Sequence, residues 1–218
     1  VMAITDMKPP QITVVRNPTI TPELLQAAEH PVDHPWLQTA SDIPVILGVG
    51  RLTEQKDFPT LLSAFALVRA QRQARLIILG DGRLRSDLLA HAETLGVAED
   101  VALPGFQDNP WAWMKRASVF ALSSRWEGSP NTLTEAMGLG VPVVSTDCPS
   151  GPKELLDSGR VAPLVAMGDT EALAEALLST LAHRPDGNDL VEAVSAYHQA
   201  SSAAAYLEVL GLAPSREV

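Results

Sequence analysis

The run Pro44-Val45-Ile46-Leu47-Gly48-Val49-Gly50-Arg51 decides the fold. Pro44–Val49 is apolar without alternation, as in a strand buried on both faces. The glycines end it in a tight turn. Phe58–Arg72 then places Leu61, Leu62, Phe65 and Val68 at helical spacing. Arg75–Leu79 is a second apolar strand. The same alternation continues downstream. Helix Leu84–Leu95 stops at Gly96, and strand Val101–Leu103 and short helix Trp111–Arg116 follow. Strand Ser118–Leu122, helix Thr132–Leu139 and strand Pro142–Ser145 come next. Lys153–Leu156 reads as a helical turn, Val161–Val165 as a sixth strand, and Glu171–His183 and Leu190–Leu210 as closing helices. Upstream, residues 11–15 read as a strand-like run. Residues 18–43 read as loops with a short helix near Glu23–Glu29. Strands alternating with helices predict an α/β, Rossmann-like, doubly wound parallel sheet of about six strands. Its ligands are expected outside the carboxyl ends of the strands.

Composition narrows the function. The chain has 218 residues, 46% hydrophobic and 19% charged, which suits a globular domain with a sizeable core. Sixteen basic against twenty-six acidic residues give a net charge of −10, the wrong sign for a nucleic-acid binder. A few local cations and backbone N–H groups still suffice for a small anion. The single cysteine, Cys148, excludes an intrachain disulfide framework and reads as a small residue after a strand. No apolar run reaches membrane-spanning length. Val1 precedes Met2 without a basic flank, so no signal peptide is read and a fragment of a longer protein is expected. A cytoplasmic location is expected, with peripheral attachment to the inner membrane face left open for the full enzyme.

Four turns carry the chemistry. Gly48-Val49-Gly50-Arg51 with Lys56 offers close backbone approach and two cations for a diphosphate, or else a plain strand-to-helix turn. Gly80-Asp81-Gly82 reads as a turn in which Asp81 orders the loop. Neither turn completes Gly-x-Gly-x-x-Gly, because Thr53 and Arg85 stand where the third glycine belongs. That disfavours a dinucleotide-dependent dehydrogenase. The third turn is Glu127-Gly128-Ser129-Pro130-Asn131-Thr132-Leu133-Thr134-Glu135, with seven residues between two acids. Ser129 is expected as helix N-cap and Pro130 as first helical residue, leaving N–H groups near Asn131, Thr132 and Leu133 for a phosphate. The fourth, Asp147-Cys148-Pro149-Ser150-Gly151-Pro152, is a proline-stiffened loop that either positions a site or only turns the chain. Phe106 is the stacking candidate for a nucleobase, whereas Trp111, Trp113 and Trp126 are assigned to core or rim. No histidine shows metal-ligand spacing.

Taken in order, Gly48-x-Gly-Arg51, Lys56-Asp57-Phe58, Gly80-Asp81-Gly82, Glu127-x7-Glu135, Ala136-Met137-x-x-Gly140-x-Pro142 and Gly151-Pro152-x-Glu154 resemble the nucleotide-sugar lobe of retaining GT-B glycosyltransferases. The likeness is to glycosyltransferase family 4, the "glycosyl transferases group 1", over nearly the whole chain. The resemblance implies a C-terminal donor-binding domain of a hexosyltransferase in polysaccharide or glycolipid synthesis, with a UDP-sugar donor and no metal cofactor. It implies that Gly50, Arg51, Lys56, Thr132 and Leu133 bind the diphosphate and Glu135 the ribose. Glu127 would be the catalytic acid facing the sugar, within a loop of Gly128, Ser129, Pro130 and Asn131, and Phe106 would meet the base. The acceptor would sit on an absent N-terminal lobe, leaving the fragment inactive. The implied division is residues 1–43 interdomain, 44–190 donor-binding, and 191–218 a helix crossing to the missing lobe. A non-catalytic nucleotide-sugar-binding module and a GT-B relative, such as a UDP-sugar epimerase or a phosphorylase, are the alternatives.

Overall fold

Residues 12–38 and 42–212 are described by a computed structural model. In chain order the elements are α1 Pro22–Ala28, α2 Pro35–Gln38, β1 Val45–Val49, α3 Phe58–Gln71, β2 Arg75–Leu79, α4 Arg85–Thr94, β3 Val101–Gly105 and α5 Pro110–Arg116. Then follow β4 Val119–Leu122, α6 Asn131–Gly138, β5 Val143–Thr146, α7 Pro152–Leu155, β6 Leu164–Val165, α8 Thr170–Ala182, α9 Gly187–Ala193 and α10 Gln199–Val209. The six strands form one sheet in the order β3-β2-β1-β4-β5-β6, and every pairing is parallel. This is the expected doubly wound sheet, and its order reverses between β1 and β4.

The strands are apolar throughout because both of their faces are covered. Side chains alternate across a strand. Val45, Leu47, Ile77, Leu79, Phe120, Leu122 and Val143 therefore pack on one side, with α1, α5 and α6. Ile46, Leu76, Ile78, Val119, Ala121 and Val144 pack on the other, with α3, α4 and α8. Phe65 of α3 and Phe120 of β4 are both fully buried, one on each side.

Three expectations change. Residues 12–15 form no strand, and Gln11 lies outside the described residues. The sixth strand shortens to Leu164–Val165. Pro163 has no N–H to give a ladder, and the Val161 N–H donates instead to the Leu156 carbonyl. The single closing helix is three pieces: α9, a 3₁₀ turn at Ser195–Tyr197, and α10. It breaks because His198 is extended and bridges Ile20. The Ile20 N–H donates to the Tyr197 carbonyl, and the Gln199 N–H donates to that of Ile20. Ile20, Leu24, Ala28 and Val32 are buried, so the described part of the leading segment belongs to the same core. Among the described residues no helix is long and apolar enough to cross a membrane.

The loops after β1 and β2 are zipped together. Gly50 N–H donates to the Leu79 carbonyl, and Leu52 N–H donates to that of Asp81. The contact requires Gly80, whose φ is +130° and whose added Cβ would lie 2.0 Å from the Gly50 carbonyl oxygen. Gly80→Ala should therefore cost about 2–5 kcal/mol, summing backbone strain and overpacking. Urea denaturation should show the midpoint falling with an unchanged slope; an unchanged midpoint would contradict this packing.

Candidate functional site

The switch point of the sheet lies between β1 and β4, and their outgoing loops are joined there. Arg125 N–H donates to the Gln55 carbonyl at 2.8 Å. Gln55 returns a bond from Nε2 to the Trp126 carbonyl at 3.0 Å. Ser123 Oγ donates to the Lys56 carbonyl at 2.7 Å. Asp57, buried and left-handed at φ 48°, takes Arg125 Nε at 3.1 Å.

Lys56 and Glu127 meet at the centre of this seam. Nζ donates to Oε1 at 2.7 Å, and the two side chains are only 14% and 7% exposed. Gly50 makes the approach possible, because the Lys56 stem lies where a Cβ on Gly50 would be, 2.6 Å from its Cε. Glu127 Oε1 also accepts from Ser124 Oγ at 2.6 Å. The sequence reading sets Lys56 beside Arg51 as equal cations and Glu127 as a separate acid. The structure joins Lys56 to Glu127 and leaves Arg51 apart. Arg51 is exposed and makes no side-chain hydrogen bond or ion pair with another described residue.

Arg51 instead lines a cleft of about 530 Å³ with Gly50, Gly80, Asp81, Phe106 and Pro110. Phe106 is 69% exposed there, and its N–H donates to Asp81 Oδ2 at 3.0 Å. Asp81 thus orders the loop after β3. Trp113 is buried, Trp111 half-buried and Trp126 exposed, as core and rim.

Helix α6 begins at Asn131, with Pro130 rather than Ser129 in the capping position and no side-chain cap. Ser129 Oγ is engaged elsewhere: it accepts from Asn17 Nδ2 and donates to Asn131 Oδ1. Asn131 N–H donates to the Ser129 carbonyl and Leu133 N–H to that of Pro130, so neither is free for a ligand. Thr132 differs: its N–H makes no such bond, and its buried hydroxyl has no partner. The loop after β5 closes over this turn. Glu127 N–H donates to the Pro149 carbonyl, and Gly151 packs so tightly on Pro130 that a Cβ would sit 2.4 Å from its Cδ. Cys148 is buried there; burial first and nearby Glu127 second push its thiol up to about 11, so it is no thiolate at neutral pH.

Glu135 shares no hydrogen bond or ion pair with Arg51, Lys56 or Glu127. Burial raises its carboxyl above the usual range, and the neighbouring Trp111 indole opposes the rise in part. That indole N–H forms no hydrogen bond of ordinary geometry. Among the described residues no group of three or more His, Cys, Asp or Glu is placed to hold a metal. Sequence reasoning missed Ser124, Gln55 and the Arg125–Asp57 pair, whose residue types carry no signal before the two loops are placed together.

Two outcomes follow from these burials. Glu127→Ala strands the Lys56 ammonium and should cost about 3–5 kcal/mol, most of it recovered in Glu127→Ala/Lys56→Met. Urea denaturation of both reads this, and a double variant no more stable than the single would contradict it. The native Glu135 carboxyl keeps its proton to higher pH than the unfolded chain does. Stability is therefore lost as pH rises from the unfolded carboxylate value through the native one. Glu135→Gln should gain more stability at neutral pH than near about pH 4; equal effects at both would contradict the burial.

Residues 43–183 match the family described as glycosyl transferases group 1. The chain is 40% identical over 144 residues to the uncharacterized glycosyltransferase MJ1059 of Methanocaldococcus jannaschii, covering 66% of this chain and 36% of that protein. It is 32% identical over 209 residues to the lipopolysaccharide core biosynthesis glycosyltransferase LpsE of Rhizobium meliloti, covering 94% and 59%. It thus spans less than two thirds of either relative. Its fold matches that of the lipopolysaccharide outer core galactosyltransferase WaaB in the apo form, with a TM-score of 0.76, 24% identity, and coverage of 96% of this chain and 58% of that one. At that identity the likeness speaks for the fold, that of GT-B glycosyltransferases. More than half of the sequence falls inside the matched region, and the chain belongs to the glycosyl transferases group 1 family.

Proposed function

We propose that this chain is the C-terminal, donor-binding domain of a retaining glycosyltransferase of family 4. In the whole enzyme a hexosyl unit passes from a UDP-sugar to an acceptor hydroxyl, held by a second, N-terminal lobe. Lipopolysaccharide or related polysaccharide synthesis is the setting, in keeping with the name of the relative LpsE. Alone, the chain binds nucleotide diphosphate weakly and transfers little, since a site made by two lobes is incomplete on one.

The observation that carries this reading is Arg51. An exposed guanidinium with no side-chain partner among the described residues lines a cleft at the carboxyl ends of β1, β2 and β3, beside the switch point of a doubly wound sheet. The cleft suits a nucleotide, with the base against Phe106 and the diphosphate at Arg51. Thr132, with an unpartnered hydroxyl at the start of α6, is a second phosphate contact. Lys56 shares its charge between Glu127 and the departing diphosphate. Arg51, Lys56 and the Thr132 N–H then stabilise the leaving group without a metal, as preorganised charges. Glu135 accepts from the ribose hydroxyls, and Glu127 faces the donor sugar.

Arg51 gives the cleanest test, because its side chain has no partner to lose among the described residues. Arg51→Ala should weaken UDP binding by about 1–3 kcal/mol, one charge-assisted hydrogen bond, with the thermal midpoint unchanged. Calorimetry showing equal UDP affinity in both proteins would refute the assignment.

A further inference from the structure

Ser124 sits two residues past the end of β4, fully buried, and plays no part in the reading above. A buried serine hydroxyl is commonly spent on a nearby carbonyl. This one instead donates to a carboxylate, Glu127 Oε1, at 2.6 Å. The Lys56 ammonium reaches the same oxygen at 2.7 Å. Oε2 takes no hydrogen bond from any other described residue. The two carboxylate oxygens are therefore unequal, one saturated by the protein and one left over.

The serine is itself held from behind. Thr146 Oγ1 at the end of β5, buried, donates to the Ser124 carbonyl at 2.6 Å. The Glu127 N–H is taken by the Pro149 carbonyl at 3.1 Å. Backbone and side chain of Glu127 are thus fixed from β4, β5 and the loop after β1 together.

We propose that Ser124 is a positioning residue: it commits Glu127 Oε1 to Lys56, and leaves Oε2 as the oxygen that accepts from the donor. In its second half this rests on the donor-site reading; the first half concerns the ligand-free protein alone. Without the hydroxyl, Oε1 and Oε2 become interchangeable for Lys56, and the ammonium loses its single fixed geometry. A carboxylate free to rotate would present to the donor an oxygen already occupied half of the time.

The test compares Ser124→Ala and Ser124→Cys by nitrogen-15 NMR of the lysine ammonium groups in the ligand-free chain, followed by titration with UDP-glucose. Cysteine keeps the volume and offers only a weak donor, so it separates the hydroxyl from packing. The wild type should show a sharp, exchange-protected Lys56 ammonium signal. Both variants should lose it, and UDP-glucose should bind about tenfold more weakly, the loss of roughly 1.4 kcal/mol. A Lys56 signal that persists in both variants overturns the proposal, as does its loss in the alanine variant alone, which would assign the effect to packing. If the signal is lost in both but UDP-glucose binds none of the three proteins, or all three alike, the positioning of Lys56 stands and the donor role of Oε2 falls.

Discussion

The buried contact between Lys56 and Glu127 organises this molecule at its functional end. Two charges leave water there, and at 2.7 Å their attraction offsets a desolvation cost of several kcal/mol per ion. Such a pair adds little net stability, but it admits only one arrangement of its loops. Here it fixes the loop after β1 against the loop after β4, across the gap where the sheet order reverses. The Lys56 approach to Gly50 and the Arg125–Asp57 pair belong to that same register.

Charge is distributed to the same end. The chain as a whole is strongly acidic, at −10. Yet the cleft beside the switch point carries a guanidinium that pairs with no acid among the described residues, while Lys56 is already balanced by Glu127. An anion approaching this surface meets the exposed guanidinium of Arg51, with the Thr132 N–H, which makes no backbone hydrogen bond among the described residues, at the head of α6. A local field of this kind needs no overall positive charge.

Much of this was legible in the sequence, for physical reasons. Strands covered on both faces must be apolar at every position, so Val45–Leu47 and Leu76–Leu79 announce a parallel sheet without any alternation to count. Helices α3 and α6 showed their buried stripes at Leu61, Leu62, Phe65 and at Leu133, Ala136, Met137. Local chemistry read less well where a distant segment competed for it. Ser129 would cap α6 but for Asn17, and the closing helix would run unbroken but for Ile20. Both rivals are over a hundred residues away in sequence, beyond any local pattern. The spacing of Glu127 and Glu135 was visible, but not their unequal fates: one carboxylate is paired with lysine and serine, and the other is buried beside an indole. Ser124 gave no sign at all, because one serine among several acquires meaning only from what it touches.

The central claim is that a nucleotide diphosphate lodges beside the switch point, in the cleft that Arg51 and Phe106 line, next to the loops that Lys56 and Glu127 hold together. A crystal structure of this chain with UDP tests it most directly. The account predicts the base against Phe106, the diphosphate within hydrogen-bonding distance of Arg51 and the Thr132 hydroxyl, and the Lys56–Glu127 seam intact. UDP bound at any other face of the sheet, or a seam that opens to admit it, would contradict the account.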